Sequence, residues 1–381
     1  MATFYEFFAG GGMVRAGLGA NWECLFANDF DPKKVTSYAA NWGKERLIVG
    51  DVAKIDLRQL PDTADLAWAS FPCQDLSLAG AGAGLKGERS GTFWPFWKLV
   101  KGLKAQGRAP RIVTLENVYG AITSHGGRDF GAIGAAFAAE GYRFGAIVID
   151  AAKFLPQSRP RLFVIGVRDD IELPNLLVGQ SPSPDWHPAA LIEACMGLAQ
   201  ECRKNWIWWR LPTPSCQSNA FADLIEENPL DVEWHSLEKT QQLLAMMSPI
   251  NLAKVAAAKK MRRRVVGTVY KRTRKDVNGS KVQRAEVRFD DIAGCLRTPA
   301  GGSSRQLIMM VEGAKVRSRL ISSRETARLM GLPDSYALPT NYNEAYHLTG
   351  DGVAVPVVRF LADSLFEPLL LKNDPRTKAA A

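Results

Sequence analysis

What this chain lacks narrows its class before any motif is considered. No stretch approaches about 18 consecutive apolar residues, so no membrane-spanning helix is expected. Met1-Ala2-Thr3-Phe4-Tyr5-Glu6 has no basic n-region, so no secretory signal is expected and the thiols are expected to be reduced. The six cysteines form no C-x-x-C pair and the four histidines are scattered, which argues against a zinc site. The glycine turn Phe7–Met13 is neither a G-x-G-x-x-G fingerprint nor a P-loop, so it lacks the phosphate cradle of dinucleotide and ATP sites. No internal repeat or low-complexity segment is present.

What is present is a large apolar content, 46% of 381 residues, enough for one big domain and a smaller one. The net charge of +9 is local. The stretch Lys254–Arg288 holds thirteen Lys and Arg against two acids, Asp276 and Glu286, and so exceeds the charge of the whole chain. Such a run is either a solvated face or a patch that meets a polyanion.

The first part alternates buried-type strands with helical patterns. Strands are expected at Thr3–Phe8, Glu23–Ala27, Leu66–Phe71, Arg111–Leu115, Tyr142–Ile149 and Arg161–Val167. Phe93, Trp97, Val100 and Leu103 have helical spacing, as do Phe130, Ile133 and Phe137. Asp31-Pro32 opens a helix. This alternation predicts a doubly wound α/β sheet. Gln180 to Asp185 reads as a linker, after which periodicity is lost through about residue 310. Asn278-Gly279 signals a hairpin between two basic runs. Helical signal returns at the capping box Ser322-Ser323-Arg324-Glu325, and a last helix is expected from Val353, with Asp351 as its cap.

Chemistry-bearing residues cluster at the expected strand ends. Phe7-Phe8-Ala9-Gly10-Gly11-Gly12 is either a tight turn or a turn against a ligand. Asn28-Asp29-Phe30 either caps the next helix or offers a carboxylate to ribose hydroxyls and a ring to adenine. Gly50-Asp51-Val52 adds a third acidic turn. Together they describe an adenosine site without a phosphate cradle, which suits S-adenosylmethionine. Cys73, in Pro72-Cys73-Gln74-Asp75-Leu76-Ser77, is either a buried small hydrophobe or a nucleophile opening a glycine-rich loop. Glu116 in Glu116-Asn117-Val118 is either a salt-bridge partner or a rim acid. Arg159 and Arg161, two apart on an extended chain, share a face that could hold one anion, or are ordinary surface arginines.

In this order the motifs resemble the DNA cytosine-5 methyltransferase family. The match comprises Phe8-Ala9-Gly10-Gly11-Gly12, Asp29-Phe30, Asp51, Pro72-Cys73-Gln74, Glu116-Asn117-Val118, Gln157-x-Arg159-x-Arg161, a helix Arg319–Pro333 with Glu325-x-x-Arg328-Leu329-Met330-Gly331, and Gly350-Asp351-Gly352-Val353-Ala354-Val355-Pro356. The resemblance implies a Rossmann-like S-adenosylmethionine methyltransferase domain at 1–180 and 311–381, and a smaller, irregular, β-containing target-recognition domain at 181–310. It implies Cys73, Glu116, Arg159 and Arg161 as catalytic residues. It implies a cofactor held by Phe8, Ala9, Gly10, Gly11, Gly12, Asp29, Phe30, Asp51, Val52, Pro72, Asp351 and Val353. DNA contacts are expected from Gln74, Ser77, Arg89, Arg263 and Arg272, with Arg297 and Arg305, beside Thr298 and Ser303-Ser304, as candidates for base contacts. No metal is expected. The resemblance implies double-stranded DNA as the partner and allows a cognate restriction endonuclease acting outside any stable complex, and the chain is expected to be a cytoplasmic monomer of bacterial or phage origin.

Two positions depart from the family pattern. Asp351 stands where the family usually has Asn, and Ala79 where some members carry a serine that helps flipping. Two rival readings are an RNA cytosine-5 methyltransferase on the same fold and a catalytically dead DNA-binding protein. Intact Cys73, Glu116, Arg159 and Arg161 argue against the second.

Overall fold

A computed structural model describes residues 1–72, 92–214, 220–275, 278–297 and 305–373. The chain divides into two compact units. One comprises Met1–Asp150, Pro160–Ser215 and Val353–Ala381; the other comprises Ala151–Arg159 and Cys216–Gly352.

The first unit begins with β1 (Ala2–Phe7), α1 (Met13–Leu18), β2 (Trp22–Asp29), α2 (Pro32–Trp42), β3 (Leu47–Val49), β4 (Leu66–Ala69), α3 (Phe93–Ala105), β5 (Ile112–Val118), α4 (Arg128–Ala139), β6 (Tyr142–Asp150) and β7 (Pro160–Arg168). The seven strands form one sheet in the order β3-β2-β1-β4-β5-β7-β6. The first five are parallel, and β7 lies antiparallel between β5 and β6. The α/β expectation holds, with a mixed rather than uniformly parallel sheet. Apolar side chains fill both faces: Phe4, Tyr5 and Phe7 of β1 and all four residues of β4 are buried. Helix α3 lays Phe93, Phe96, Trp97, Val100 and Leu103 into this core. Helix α2 starts as expected, with the Asp31 side chain accepting from Lys33 N at 2.9 Å and Pro32 in its first turn.

The chain winds outward from β1 through β2 to β3, then returns to β4 on the other side of β1. That reversal opens a crevice at the carboxyl ends of β1 and β4, where open α/β sheets bind their ligands.

The expected linker at 180–185 does not end this unit, which continues to Ser215. It adds β8 (Val178–Gly179), α5 (Ala189–Met196), α6 (Gln200–Lys204) and β9 (Trp208–Trp209). The aperiodic segment lines the sheet. Trp209 is fully buried with its indole N–H donating to Ile165 O at 3.3 Å, and Trp206 packs edge-on against Phe130 and Phe144.

The second unit holds α7 (Leu237–Ala245), α8 (Pro249–Lys260), β10 (Arg264–Lys275), β11 (Lys281–Arg288), β12 (Leu307–Glu312), β13 (Lys315–Leu320), α9 (Ser323–Arg328) and α10 (Tyr342–Asp351). Its sheet is antiparallel, in the order β11-β10-β12-β13. The expected β10–β11 hairpin is present, with Lys275 opposite Lys281 and Gly279 in the left-handed region. Residues 311–352 belong here, not to the first unit, because β12 and β13 pair with this sheet. The capping box forms: Glu325 N donates to Ser322 Oγ and Ser322 N to Glu325 Oε2. The helix is shorter than the resemblance implied, since Arg319 lies in β13. Arg319 and Glu325 are fully buried and bidentate, at 2.8 and 2.5 Å.

The chain then re-enters the first unit as α11 (Val355–Leu361), a π-helical turn (Ala362–Phe366) and α12 (Glu367–Lys372). Asp351 does not cap α11. It is the last residue of α10, and the N-cap of α11 is Ala354. Among the described residues, no helix is long and apolar enough to cross a membrane.

Candidate active site

The motif residues of the first unit meet at one edge of its sheet, the carboxyl ends of β1, β2, β3, β4 and β5. At the end of β1 the backbone turns sharply. Phe8 takes φ of 58°, an unfavourable value for a residue with a side chain, and Gly10 and Gly12 are also left-handed. Gly12 has no room for a Cβ, which would stand 2.4 Å from Trp42 Nε1. The same indole nitrogen donates to Gly11 O at 3.0 Å, so Trp42 fixes the turn from behind. Gly10 faces open space instead, with nothing within 4 Å of an added Cβ.

Asp29, at the end of β2, binds this turn. Its Oδ2 accepts from Gly10 N at 2.7 Å and its Oδ1 from Asp31 N at 2.8 Å. Burial pushes its carboxyl above the usual value, and the two amides pull it part of the way back. The next residue, Phe30, is 76% exposed. Val49, across from Asp29 in β3, is also exposed. Asn28 ties the end of β3 in place by donating to Ile48 O and Gly50 O. The Asp51 side chain accepts from Ala53 N at 2.9 Å, and Val52 is buried beside it. An open glycine turn, a carboxylate on each side and a solvent-facing ring therefore line one edge. This arrangement fits a ribose and a flat purine, and among the described residues it has no cluster of cations for phosphates.

Glu6 of β1 lies beneath the turn. It is completely buried, and among the described residues its carboxyl oxygens make no hydrogen bond of full geometry, the nearest donors being the Val14 and Arg15 amides. Burial pushes its carboxyl up to about 8, offset only in part by Arg15 and the first amides of α1.

At the end of β5, Glu116 is nearly buried and its Oε1 lies 3.2 Å from Arg161 Nε. The antiparallel register sets Arg161 opposite Val118, which brings the two side chains to the same edge. Asn117 donates to Phe71 O at 3.3 Å and accepts from Val118 N at 2.9 Å. It thereby joins the end of β5 to the residues leading from β4 into Pro72. Asn28, Trp42 and Asn117 had no role in the sequence reading, because side-chain ties to distant backbone leave no spacing signal.

Arg159 and Arg161 do not converge on one anion. Arg161 turns to Glu116, while the buried Arg159 donates to Leu296 O, Gly350 O and Gly352 O in the second unit. Cys73, Gln74, Ser77, Ala79 and Arg89 lie outside the described residues, as do Thr298, Ser303 and Ser304.

In the second unit the basic stretch forms α8 and the β10–β11 hairpin. Arg263 is exposed between them. Register puts Tyr270, Arg272 and Arg274 on one face with Glu286 and Arg284. Glu286 pairs with both Arg272, at 3.4 Å, and Arg274, at 2.5 Å, and the Arg272 guanidinium lies over the Tyr270 ring. Lys271, Lys275 and Lys281 occupy the other face. Arg297 is exposed, whereas Arg305 binds Asn343 and lies over Tyr342. The partner of Arg305 is an amide, not an acid.

The model of the C-5 cytosine-specific DNA methylase family matches residues 2–367. The type II methyltransferase M.NlaX of Neisseria lactamica is 26% identical over 98% of this chain and 99% of its own length. The type II methyltransferase M.HhaI of Haemophilus parahaemolyticus is 24% identical over 97% of this chain and 95% of its own. Among solved structures, the S. pombe Dnmt2 methyltransferase superposes with a TM-score of 0.59 at 17% identity, covering 97% of this chain and 99% of its own, and so shares the fold.

Proposed function

The chain belongs to the C-5 cytosine-specific DNA methylase family and is a DNA (cytosine-5)-methyltransferase, and we propose that it methylates a cytosine flipped out of a specific double-stranded DNA sequence through a covalent bond from Cys73 to C6. The observation that carries this reading is the edge shared by the Glu116–Arg161 pair and the Asn117 tie to Phe71, two residues before Cys73.

Cytosine C5 is too weak a nucleophile to take a methyl group unaided. The Cys73 thiolate forms a bond to C6, and the electrons of the C5–C6 double bond become available at C5. Glu116, carrying or sharing a proton at N3, stabilises the adduct, and Arg161 holds the pyrimidine O2. S-adenosylmethionine, when bound, supplies an electrophilic methyl group for C5. A base then removes the C5 proton, the C5–C6 double bond re-forms, and Cys73 leaves as thiolate. C5 and C6 lie within the duplex stack, so the base must leave it, at a cost of a few kcal/mol.

On the cofactor side, Gly10, Gly11 and Gly12 admit the methionine portion past Phe8, Ala9 and Pro72. Asp29 takes ribose hydroxyls, Phe30 stacks on adenine, and Asp51 with Val52 reads its edge. Val353 completes the set. The open Cβ direction at Gly10 and the exposed Phe30 ring support this placement.

The second unit selects the target. Arg263, Arg272 and the rest of the hairpin meet phosphates, and Arg297 reaches bases. The type II names of M.NlaX and M.HhaI support a restriction partner that cuts the same sequence without a stable complex. The protein acts as a monomer in the cytoplasm.

Incubation with S-adenosylmethionine and plasmid DNA, followed by bisulfite sequencing, should give methylated cytosines in one fixed context. Methylation of tRNA with none on plasmid would replace this reading with the RNA one. Cofactor-dependent trapping on 5-fluorocytosine DNA tests the covalent step, and its absence on a methylated context would remove that step.

A further inference from the structure

The connection between β6 and β7 does not stay with the sheet it joins. Ala151–Arg159 belongs to the second unit and runs alongside residues 293–296. Pro156 O accepts from Ala293 N at 2.7 Å, and Ser158 N donates to Ala293 O at 2.8 Å. Gln157 is wholly buried. Its Oε1 accepts from Leu296 N at 3.3 Å and its Nε2 donates to Leu329 O at 2.6 Å, just beyond α9. Arg159, 1% exposed, donates to Leu296 O and Cys295 Sγ at 3.2 Å each, to Gly350 O at 2.7 Å and to Gly352 O at 2.6 Å. Tyr270 adds a further tie, its hydroxyl 2.5 Å from Gln306 Oε1 and close enough to Gly294 to forbid a Cβ there.

These contacts fix the residues on either side of the segment that carries Arg297 and Arg305. A guanidinium is suited to this task, because its planar fork can serve several carbonyls at once while an ammonium on a flexible stem cannot match the geometry. Buried carbonyls left without donors are costly, so the arrangement resists displacement.

We infer that Gln157 and Arg159 are positioning residues for DNA target selection: they hold residues 293–297 against α9 and the Gly350–Gly352 turn, and so set the register in which Arg297 meets the bases. Arg161, two residues further along the chain and inside β7, serves the reacting cytosine. One short run thus supplies both the pyrimidine contact and the anchor of the reading segment. The inference rests on the function proposed above.

The test uses the full chain, saturating S-adenosylmethionine and a pool of duplex oligonucleotides with randomised positions flanking one cytosine, read by bisulfite sequencing. The ratio of the preferred context to its single-base neighbours should fall by roughly tenfold in Arg159→Lys, the worth of one good base contact. Gln157→Ala, which removes no charge, should move the ratio in the same direction. Binding of S-adenosylhomocysteine should stay within about twofold of wild type in Gln157→Ala, whose side-chain ties go to Leu296 and Leu329 and not to the Gly350–Gly352 turn before Val353. Unchanged context ratios with a uniform fall in kcat would overturn the inference, as would a change confined to cofactor binding. If Arg159→Lys does not fold, Gln157→Ala decides by the same ratio. Absence of methylation by the wild-type chain in every context would instead sink the proposed function.

Discussion

Glu6→Gln should flatten the dependence of stability on pH. The Glu6 carboxyl is fully buried beneath the glycine turn, faces Arg15 of α1, Cys24 and Asp29 of β2 and Tyr38 of α2, and has its pKa raised from 4.5 to about 8, chiefly by burial. The folded carboxyl therefore keeps a proton that the unfolded chain releases above 4.5. Its contribution to stability is fully present below the unfolded value and is lost as pH rises toward the folded one. The loss is on the order of 1 kcal/mol per pH unit, or on the order of 2 kcal/mol between pH 5.5 and 7.5. Urea titrations of wild type and Glu6→Gln at pH 5.5, 6.5 and 7.5, followed by tryptophan fluorescence, isolate this group from the other carboxylates. The wild type should lose stability relative to the variant as pH rises, by about 2 kcal/mol over the range. A difference constant to within about 0.5 kcal/mol would mean that Glu6 does not change its proton in this window, and the reasoning from burial would be wrong.

Cys73→Ser should abolish methyl transfer while DNA retention in a gel-shift assay persists, because a hydroxyl is a far weaker nucleophile at neutral pH; substantial turnover would remove Cys73 from its role. Arg161→Met leaves Glu116 nearly buried without its ion-pair partner, and kcat should fall by roughly 100-fold or more with little change in S-adenosylhomocysteine affinity; a loss confined to KM for DNA would reassign Arg161 to binding. Arg263→Ala and Arg272→Ala should each weaken binding on every DNA sequence and reduce the salt slope by about 1; a loss of preference for one site alone would make them base readers. Arg319→Met should cost about 3–5 kcal/mol by stranding the buried Glu325, and Arg319→Met with Glu325→Leu should recover most of that in thermal melts; a double variant as unstable as the single one would contradict this account.

Six strands of the central sheet were legible because strands buried on both faces are runs of apolar residues closed by turn residues. β3 was not, being three residues long and only half-buried at Leu47 and Ile48. The reversed direction of β7 was equally unreadable, because alternation does not encode polarity. Asp31-Pro32 and Ser322 with Glu325 marked helix starts correctly, since capping is local chemistry. The first unit runs on past residue 180 because Trp209 buries its ring, and Trp206 and Trp208 pack half-buried, from a segment with no period. For the site, strand ends could be read from sequence, and Gly10, Asp29, Asp51 and Glu116 do reach one edge. The destination of Arg159 could not, because spacing says which face a side chain occupies and not which carbonyls await it.

Because Ala151–Arg159 and Cys216–Gly352 form one body, the covalent path enters and leaves the second unit twice. That body is not a cassette in the genetic sense. A recombination event or a designed swap that exchanges only the longer segment inherits a foreign Gln157 and Arg159 from the recipient, fitted to another partner's carbonyls. Exchange of this body between relatives should therefore succeed most often when both segments, not the longer one alone, travel together, with the nine residues Ala151–Arg159 moved alongside Cys216–Gly352.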